Sequence, residues 1–385
     1  MSSVVVIGAG VIGCAIADAL AVRGADVAVL DMRSPGRGAS QASAGVLAPY
    51  IEADEDNPLL SLGVRSLNLF DGFISGVRER SGLPIEYSKT GTLDIALSDA
   101  DVERLSASRA WLARTGVAHE WIDAAHLAAF ESAVSPSARG ALFIPGHKFV
   151  GVASLIKALA LGARFSGARF EWPVEVARVD PKSDRVLVSA GERRYEADFA
   201  VVAGGSWSGR VRVGGMKHFG VRPIRGQLLH LTWPAKTAVP ARVVWGPRCY
   251  TVPWSDGSLL VGATVEDVGF DERSTVDGVR GLLDAVSELL PASRGASLEQ
   301  VRVGLRPAAA DGLPLIGPLE SAPNVIIATG HYRNGILLAP LTADIVARCI
   351  LDRETDDAIA VTTPARPGAA IEKRSRPARK PPHDS

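Results

Sequence analysis

Gly8, Gly10 and Gly13 stand in the spacing Gly-x-Gly-x-x-Gly, and Asp31 follows 18 residues after the last of them. Each type has a task in holding a dinucleotide. Gly8 permits a tight turn, Gly10 lets the backbone approach a pyrophosphate, and Gly13 lets a helix pack closely on a strand. The N-terminus of the helix that follows offers free amides and a positive dipole end to the phosphates. Asp31 can accept hydrogen bonds from ribose hydroxyls. The same acid would repel a 2′-phosphate, so the pattern points away from NADP, and Arg33 reads as a solvated surface charge.

Two further segments suit a flat, extended cofactor. Gly38-Ala39-Ser40-Gln41-Ala42-Ser43-Ala44-Gly45-Val46-Leu47-Ala48-Pro49 is rich in small and hydroxyl residues, so its backbone can run close to a ring system and offer amide donors. Some 300 residues after the first glycine turn, Val325–Thr329 reads as a strand ending at Gly330. His331-Tyr332-Arg333-Asn334-Gly335 and an amphipathic helix through Leu351 follow it. A helix N-terminus there would stabilise negative charge on the pyrimidine edge of a reduced flavin. Phe199–Ala203, ending at Gly204-Gly205, supplies a third such strand. Metal chemistry has no comparable pattern: the three cysteines and seven histidines do not fall at ligand spacing.

The elements that must position these residues are legible around them. Val4–Ile7 is a β-branched run suited to a central parallel strand, Cys14–Arg23 is helix-forming with Gly24 as its cap, and Asp26–Leu30 is a second strand. Residues 4–22 are apolar enough to imitate a signal peptide or membrane span. Asp18, the glycines and the lack of a preceding Lys or Arg favour a buried strand, turn and helix. The 385 residues suffice for two or three domains, and 42 acidic against 42 basic side chains leave no global field for nucleic acid or anionic lipid. An odd number of widely spaced cysteines predicts a reducing, cytoplasmic setting without disulfides.

The segments GAGVIG (8–13), SAGVLAP (43–49), GQLLHL (226–231), CYTVP (249–253), LLVGATVE (259–266), GLRPAAADGLPLIG (304–317) and GHYRNGILLAP (330–340) together resemble the D-amino-acid oxidase superfamily of flavoproteins, most closely its glycine oxidase branch. The resemblance spans nearly the whole chain to about residue 352. It implies an α/β fold in which a Rossmann-like FAD domain (1–85, 146–215 and 305–364) interleaves with an antiparallel-sheet substrate domain (86–145 and 216–304). The strands Thr92–Leu97, Gln227–Thr232, Arg248–Pro253 and Leu259–Thr264 and the helices Asp99–Thr115 and Thr275–Leu290 are read locally within the second. Residues 365–385, with four prolines and six Lys or Arg, are expected to be a disordered, solvated tail. The resemblance further implies a homotetramer.

It also implies roles for single residues. FAD would be held without a covalent link by Gly8, Gly10, Val11, Ile12, Gly13, Asp31, Ser40, Gln41, Ala44, Gly45, Val46, Leu47, Val174, Ala203, Gly204, Arg333, Asn334, Gly335, Ile336 and Leu337. Arg306, in Gly304-Leu305-Arg306-Pro307 between a strand and a turn, matches the arginine that binds the substrate carboxylate, and a guanidinium fork suits two oxygens. Tyr250 matches a tyrosine that hydrogen-bonds the same carboxylate, and Arg333 an arginine beside flavin and substrate. The implied reaction oxidises glycine, sarcosine, D-alanine or a similar amine, with oxygen as acceptor and hydrogen peroxide as product. No proton-transfer base is required if the amine arrives neutral.

Three departures bear on the substrate. Trp254 stands where relatives often carry arginine, Gly146-His147-Lys148-Phe149-Val150-Gly151 lacks the usual turn, and Arg248 is expected to add positive charge near the pocket. Cys249 and Cys349 lie outside the flavin-attachment context of covalent sarcosine oxidases, and with Cys14 they read as small core residues. Alternatives are a dehydrogenase passing electrons to a quinone or partner subunit, a tRNA-modifying flavin oxidase, and a non-enzymatic dinucleotide sensor.

Overall fold

The computed structural model describes residues 1–52, 57–215 and 220–366. A six-stranded sheet carries the N-terminal motif. Its order is Leu315–Leu319, Ala322–Thr329, Phe199–Val202, Ser3–Ile7, Asp26–Leu30, Arg169–Glu171. Every neighbouring pair is parallel except the first. Alternate side chains go to opposite faces. Val4, Val6, Val27, Val29 and Val201 pack among helices Val11–Ala21, Pro58–Ser81, Val152–Phe165 and Ala339–Leu351. Val5, Ile7, Ala28, Leu30 and Val202 pack on the other side against a four-stranded sheet spanning residues 178–213. Burial on both faces explains the unbroken apolar runs of these strands.

An eight-stranded sheet adjoins this unit. Its order is Ser297–Ala309, Val221–Thr232, Ser258–Gly262, Tyr250–Pro253, Val243–Trp245, Thr92–Ala96, Gly140–Ile144, Glu120–Asp123. It is antiparallel, as expected, apart from Val243–Trp245 beside Thr92–Ala96, which run parallel. One face packs on helix Val276–Leu289 through Leu282, Ala285, Val286 and Leu289. The other carries Tyr250, Leu228 and Val252 in a smaller cluster.

Several local expectations shift. Helix Val11–Ala21 ends at Val22, and Gly24 takes its left-handed conformation two residues later, where its amide reaches Ala21 O. Arg306 does not lie between a strand and a turn. Strand Ser297–Ala309 runs through it, and Pro307 is tolerated because this is the edge strand of its sheet. The C-terminal helix starts at Ala339, after turns over Asn334–Leu338, because Pro340 fits only a first helical turn. Residues 365 and 366 belong to the ordered chain: Arg366 pairs with Asp311 and donates to the carbonyls of Leu313 and Pro314. The rest of the tail, from 367, lies outside the described residues. Among the described residues, no helix is long and apolar enough to cross a membrane.

Candidate active site

The carboxyl ends of the parallel strands open into a cavity that reaches across to the eight-stranded sheet. It lies at the carboxyl ends of the paired strands Ser3–Ile7 and Phe199–Val202, where the strand order turns back, the usual ligand crevice of such a sheet. Gly8, Gly10, Val11 and Ile12 line it. A Cβ on Gly8 would sit 2.4 Å from Ala203 O, and one on Gly13 would sit 1.8 Å from Gly8 O. Only glycine permits the turn and the helix contact at these two places. The first amides of helix Val11–Ala21 have no acceptor within the helix, and that of Val11 donates to Ser40 Oγ at 3.1 Å.

Asp31 lines the same end, its carboxylate held by the amides of Ala9 (2.6 Å) and Arg33 (2.7 Å). Burial pushes this carboxyl above its usual range, against the pull of those amides. Arg33 is not the solvated charge expected. It makes a two-point pair with Glu272 (2.9 and 2.6 Å), lies 4.8 Å over the Trp207 ring, and lines the cavity. The partner is 239 residues away, so the local sequence gave no sign of it.

At the far end Arg306, Tyr250, Arg333 and Glu52 come together with Tyr332 and His331. Arg306 donates through Nη1 to Thr264 O (2.8 Å) and Arg225 O (3.4 Å), which aims the guanidinium without neutralising it. Burial, then the nearby Arg333 charge, pull its pKa down. It lies over Gly226 of the neighbouring strand, where a Cβ would stand 2.3 Å from Nη2. Tyr250 lies likewise over Gly262, its cross-strand neighbour, and stacks on Trp245 at 4.8 Å. Burial raises the Tyr250 phenol, so it stays a neutral donor. Arg333 donates to Glu52 Oε1 at 3.1 Å. Burial pushes the Glu52 carboxyl up, while Arg333 and Arg306 oppose that. His331 bonds Thr342 Oγ1 through Nε2 at 3.0 Å, and burial lowers its pKa to about 3, which keeps it neutral.

Of the other expected cofactor residues, Ser40, Ala44, Gly45, Val46, Val174, Ala203, Gly204, Gly335 and Ile336 line the cavity. Gly13, Gln41, Leu47, Asn334 and Leu337 do not. Gln41 Nε2 donates to Val303 O at 3.3 Å, Leu47 and Leu337 are core, Asn334 is buried in its turn, and Gly13 serves the helix–strand contact. Arg248 is also absent from the cavity: it is exposed and pairs with Glu288. Trp254 packs on Phe149 at 6.1 Å, outside the cavity lining. Cys14 and Cys249 are buried, Cys349 is half-buried, and none lines the cavity. Sequence reading missed Glu52, Trp207 and Arg210. A glutamate just after SAGVLAP was the one available hint.

These residues fit FAD. Glycines hold open the backbone cradle, helix amides face an elongated cavity, and an anchored acid stands at one end with a cationic cluster at the other. Bound there, FAD would lie against Gly8–Ile12, Asp31 and the Gly335 turn.

Comparison with known proteins agrees. The glycine oxidase of Geobacillus kaustophilus is 32% identical over 358 residues, 91% of this chain and 93% of that protein. Its crystal structure superposes with a TM-score of 0.89 at 30% identity, covering 95% of this chain and 99% of that one. The iminodiacetate oxidase of Chelativorans sp. BNC1 superposes with a TM-score of 0.85 at 26% identity, covering 94% and 98%. The model of the FAD dependent oxidoreductase (DAO) family matches residues 3–349, nearly all of the described chain. Cradle, cavity and match together place this chain in that family, as an oxidoreductase whose cofactor is FAD.

Proposed function

We propose that the chain oxidises a small amino acid or amine, with glycine, sarcosine and D-alanine the leading candidates. Glycine, water and oxygen would give glyoxylate, ammonia and hydrogen peroxide. The observation that carries this reading is the set of Arg306, Tyr250 and Arg333 closing one end of the dinucleotide cavity. Bound FAD supplies the two-electron acceptor. Arg306 binds the substrate carboxylate in its planar fork, the neutral Tyr250 hydroxyl donates to the same group, and Arg333 borders the opening. Holding the carboxylate at fixed points orients the Cα–H, and positioning of this kind is a large part of catalysis. None of these side chains is a base at neutral pH, so the amine enters unprotonated.

The division into an FAD unit (1–85, 146–215, 305–364) and a substrate unit (86–145, 216–304) belongs to the same reading, as do a non-covalent flavin and a homotetramer. Light scattering on the purified protein checks the last, and release of flavin by acid checks the attachment. The cytoplasmic setting rests on three unpaired cysteines. An oxygen electrode and a dye-reduction assay, run over small amino acids and amines, test the activity. Oxygen uptake with peroxide formation supports the oxidase. Dye reduction without oxygen uptake assigns a dehydrogenase, and no turnover of any amino acid or amine overturns the reading.

A further inference from the structure

Among the described residues, Glu52 is the acidic side chain in an otherwise cationic end of the cavity. It enters from the short helix Pro49–Glu52 and meets Arg333 across 281 residues of sequence. Its side chain is 14% exposed, against 35% for Arg333. Among the described residues only Oε1 has a hydrogen-bond partner, and the side chain lines the pocket. Arg306, by contrast, hydrogen-bonds only to carbonyl oxygens among the described residues. Among the described residues, two guanidiniums and one carboxylate leave one net positive charge at this end.

We propose that Glu52 is a specificity-determining residue, which by pairing with Arg333 leaves one guanidinium free and so selects substrates with a single carboxylate over dicarboxylates. This rests on the reading of Arg306 as the carboxylate clamp. A dicarboxylate would bring a second negative charge against the Glu52 carboxylate, with Arg333, the other cation at this end among the described residues, already engaged. Specificity then comes from repulsion as much as from attraction. The Glu52 side chain is mostly buried, so an unmatched charge beside it is poorly screened.

The test compares glycine with iminodiacetate as substrates of the holoenzyme, and acetate with malonate as non-reacting ligands read by the change in flavin absorbance. Glu52→Gln keeps the size and an acceptor for Arg333 but removes the charge. It should move both ratios toward the dicarboxylate by at least about tenfold, through KM and Kd more than kcat. Glu52→Asp, which keeps the charge, should hold both ratios within about threefold of wild type. A merely structural Glu52 would weaken all four ligands alike, and an unchanged ratio overturns the proposal. If Glu52→Gln yields no holoenzyme, Arg333→Gln decides. With Glu52 unpaired, malonate should weaken against acetate by about tenfold more, and no such change overturns the proposal. Failure of wild type to oxidise any amino acid would sink the functional reading instead, while the acetate and malonate arm would still report on Glu52.

Discussion

Arg306 owes its position to a residue without a side chain. The guanidinium occupies the space a Cβ on Gly226 would take, and its stem is the flexible partner in that contact. Gly226→Ala should therefore displace the clamp and leave the strand intact. We expect kcat/KM for amino acids to fall by about tenfold or more with FAD content unchanged. Arg306→Ala should do the same more severely. Truncating one partner of a buried charged pair costs about 2–5 kcal/mol, or about 30-fold to several thousand-fold in kcat/KM at ~1.4 kcal/mol per decade. Arg306→Lys should recover little, because an ammonium lacks the fork. Steady-state kinetics beside the flavin spectrum check both, and near-normal glycine turnover in Arg306→Ala removes the clamp. Residues of this kind divide by how they reach the cavity. Gly8, Gly10, Gly13 and Asp31 were legible because one continuous strand–turn–helix–strand segment fixes their geometry. Glu52 and Trp207 were not, because packing between distant segments brings them in. Arg33 was misread for the same reason, its pairing acid lying in another sheet's loop.

At the scale of elements, the four central strands of the parallel sheet were read to within three residues of their observed ends, since burial on both faces makes each a continuous apolar run, whereas the edge strands Arg169–Glu171 and Leu315–Leu319 were not read. The ends of helices were harder. The start at Ala339 depends on Pro340 and on turns that the apolar pattern does not reveal. The end of the chain depends on a charge clasp. Asp356 accepts from Arg65 of helix Pro58–Ser81 at 2.6 Å through each oxygen, and pairs with Arg348 of helix Ala339–Leu351. It also caps Ala358, starting the segment whose Thr362 bonds Ile316 O at 3.0 Å. The Arg65 pairing first, and the capping amide and Arg348 with it, hold its carboxyl well below the usual range. A lowered carboxyl stabilises the fold above the unfolded pKa of about 4 and loses that contribution as pH falls toward the folded value. Both arginines are partly exposed, which limits the effect to about 1–2 kcal/mol. Asp356→Asn should thus lower Tm by a few degrees at pH 7, and the gap to wild type should narrow at pH 3. A gap that persists unchanged at pH 3 would mean that shape, not charge, holds the clasp.

For the whole molecule, the cavity is bounded by two sheets, and the segment from Glu266 to Arg273 crosses between them. Arg225, 3% exposed, fixes this segment by pairing with Glu266 and Asp271 and donating to Arg273 O at 3.0 Å. From that anchor Glu272 reaches Arg33, and Phe270 lies 5.8 Å from Trp207 and 3.8 Å beneath the Arg210 guanidinium. Arg33, Trp207 and Arg210 all line the cavity at the end that holds Asp31, whereas Phe270 and Glu272 do not line it at all. The segment therefore braces the wall of the nucleotide end from outside, and what it braces should matter for keeping FAD rather than for turnover. Glu272→Gln removes the charge of the pair, and Phe270→Ala removes the ring between Trp207 and Arg210. Either should speed FAD release by about three- to tenfold, while kcat at saturating FAD stays within about twofold of wild type. Binding to the folded state stabilises it in proportion to the logarithm of ligand over Kd. The rise in Tm on adding FAD to apoprotein should therefore be smaller in both variants at equal FAD, by the equivalent of up to about 1.4 kcal/mol for a tenfold weaker Kd. The pair is half-exposed, so the effect of Glu272→Gln should shrink in high salt and that of Phe270→Ala should not. Flavin fluorescence after dilution measures the release rate directly. Wild-type release rates in both variants would show that the brace does not control access to the cavity.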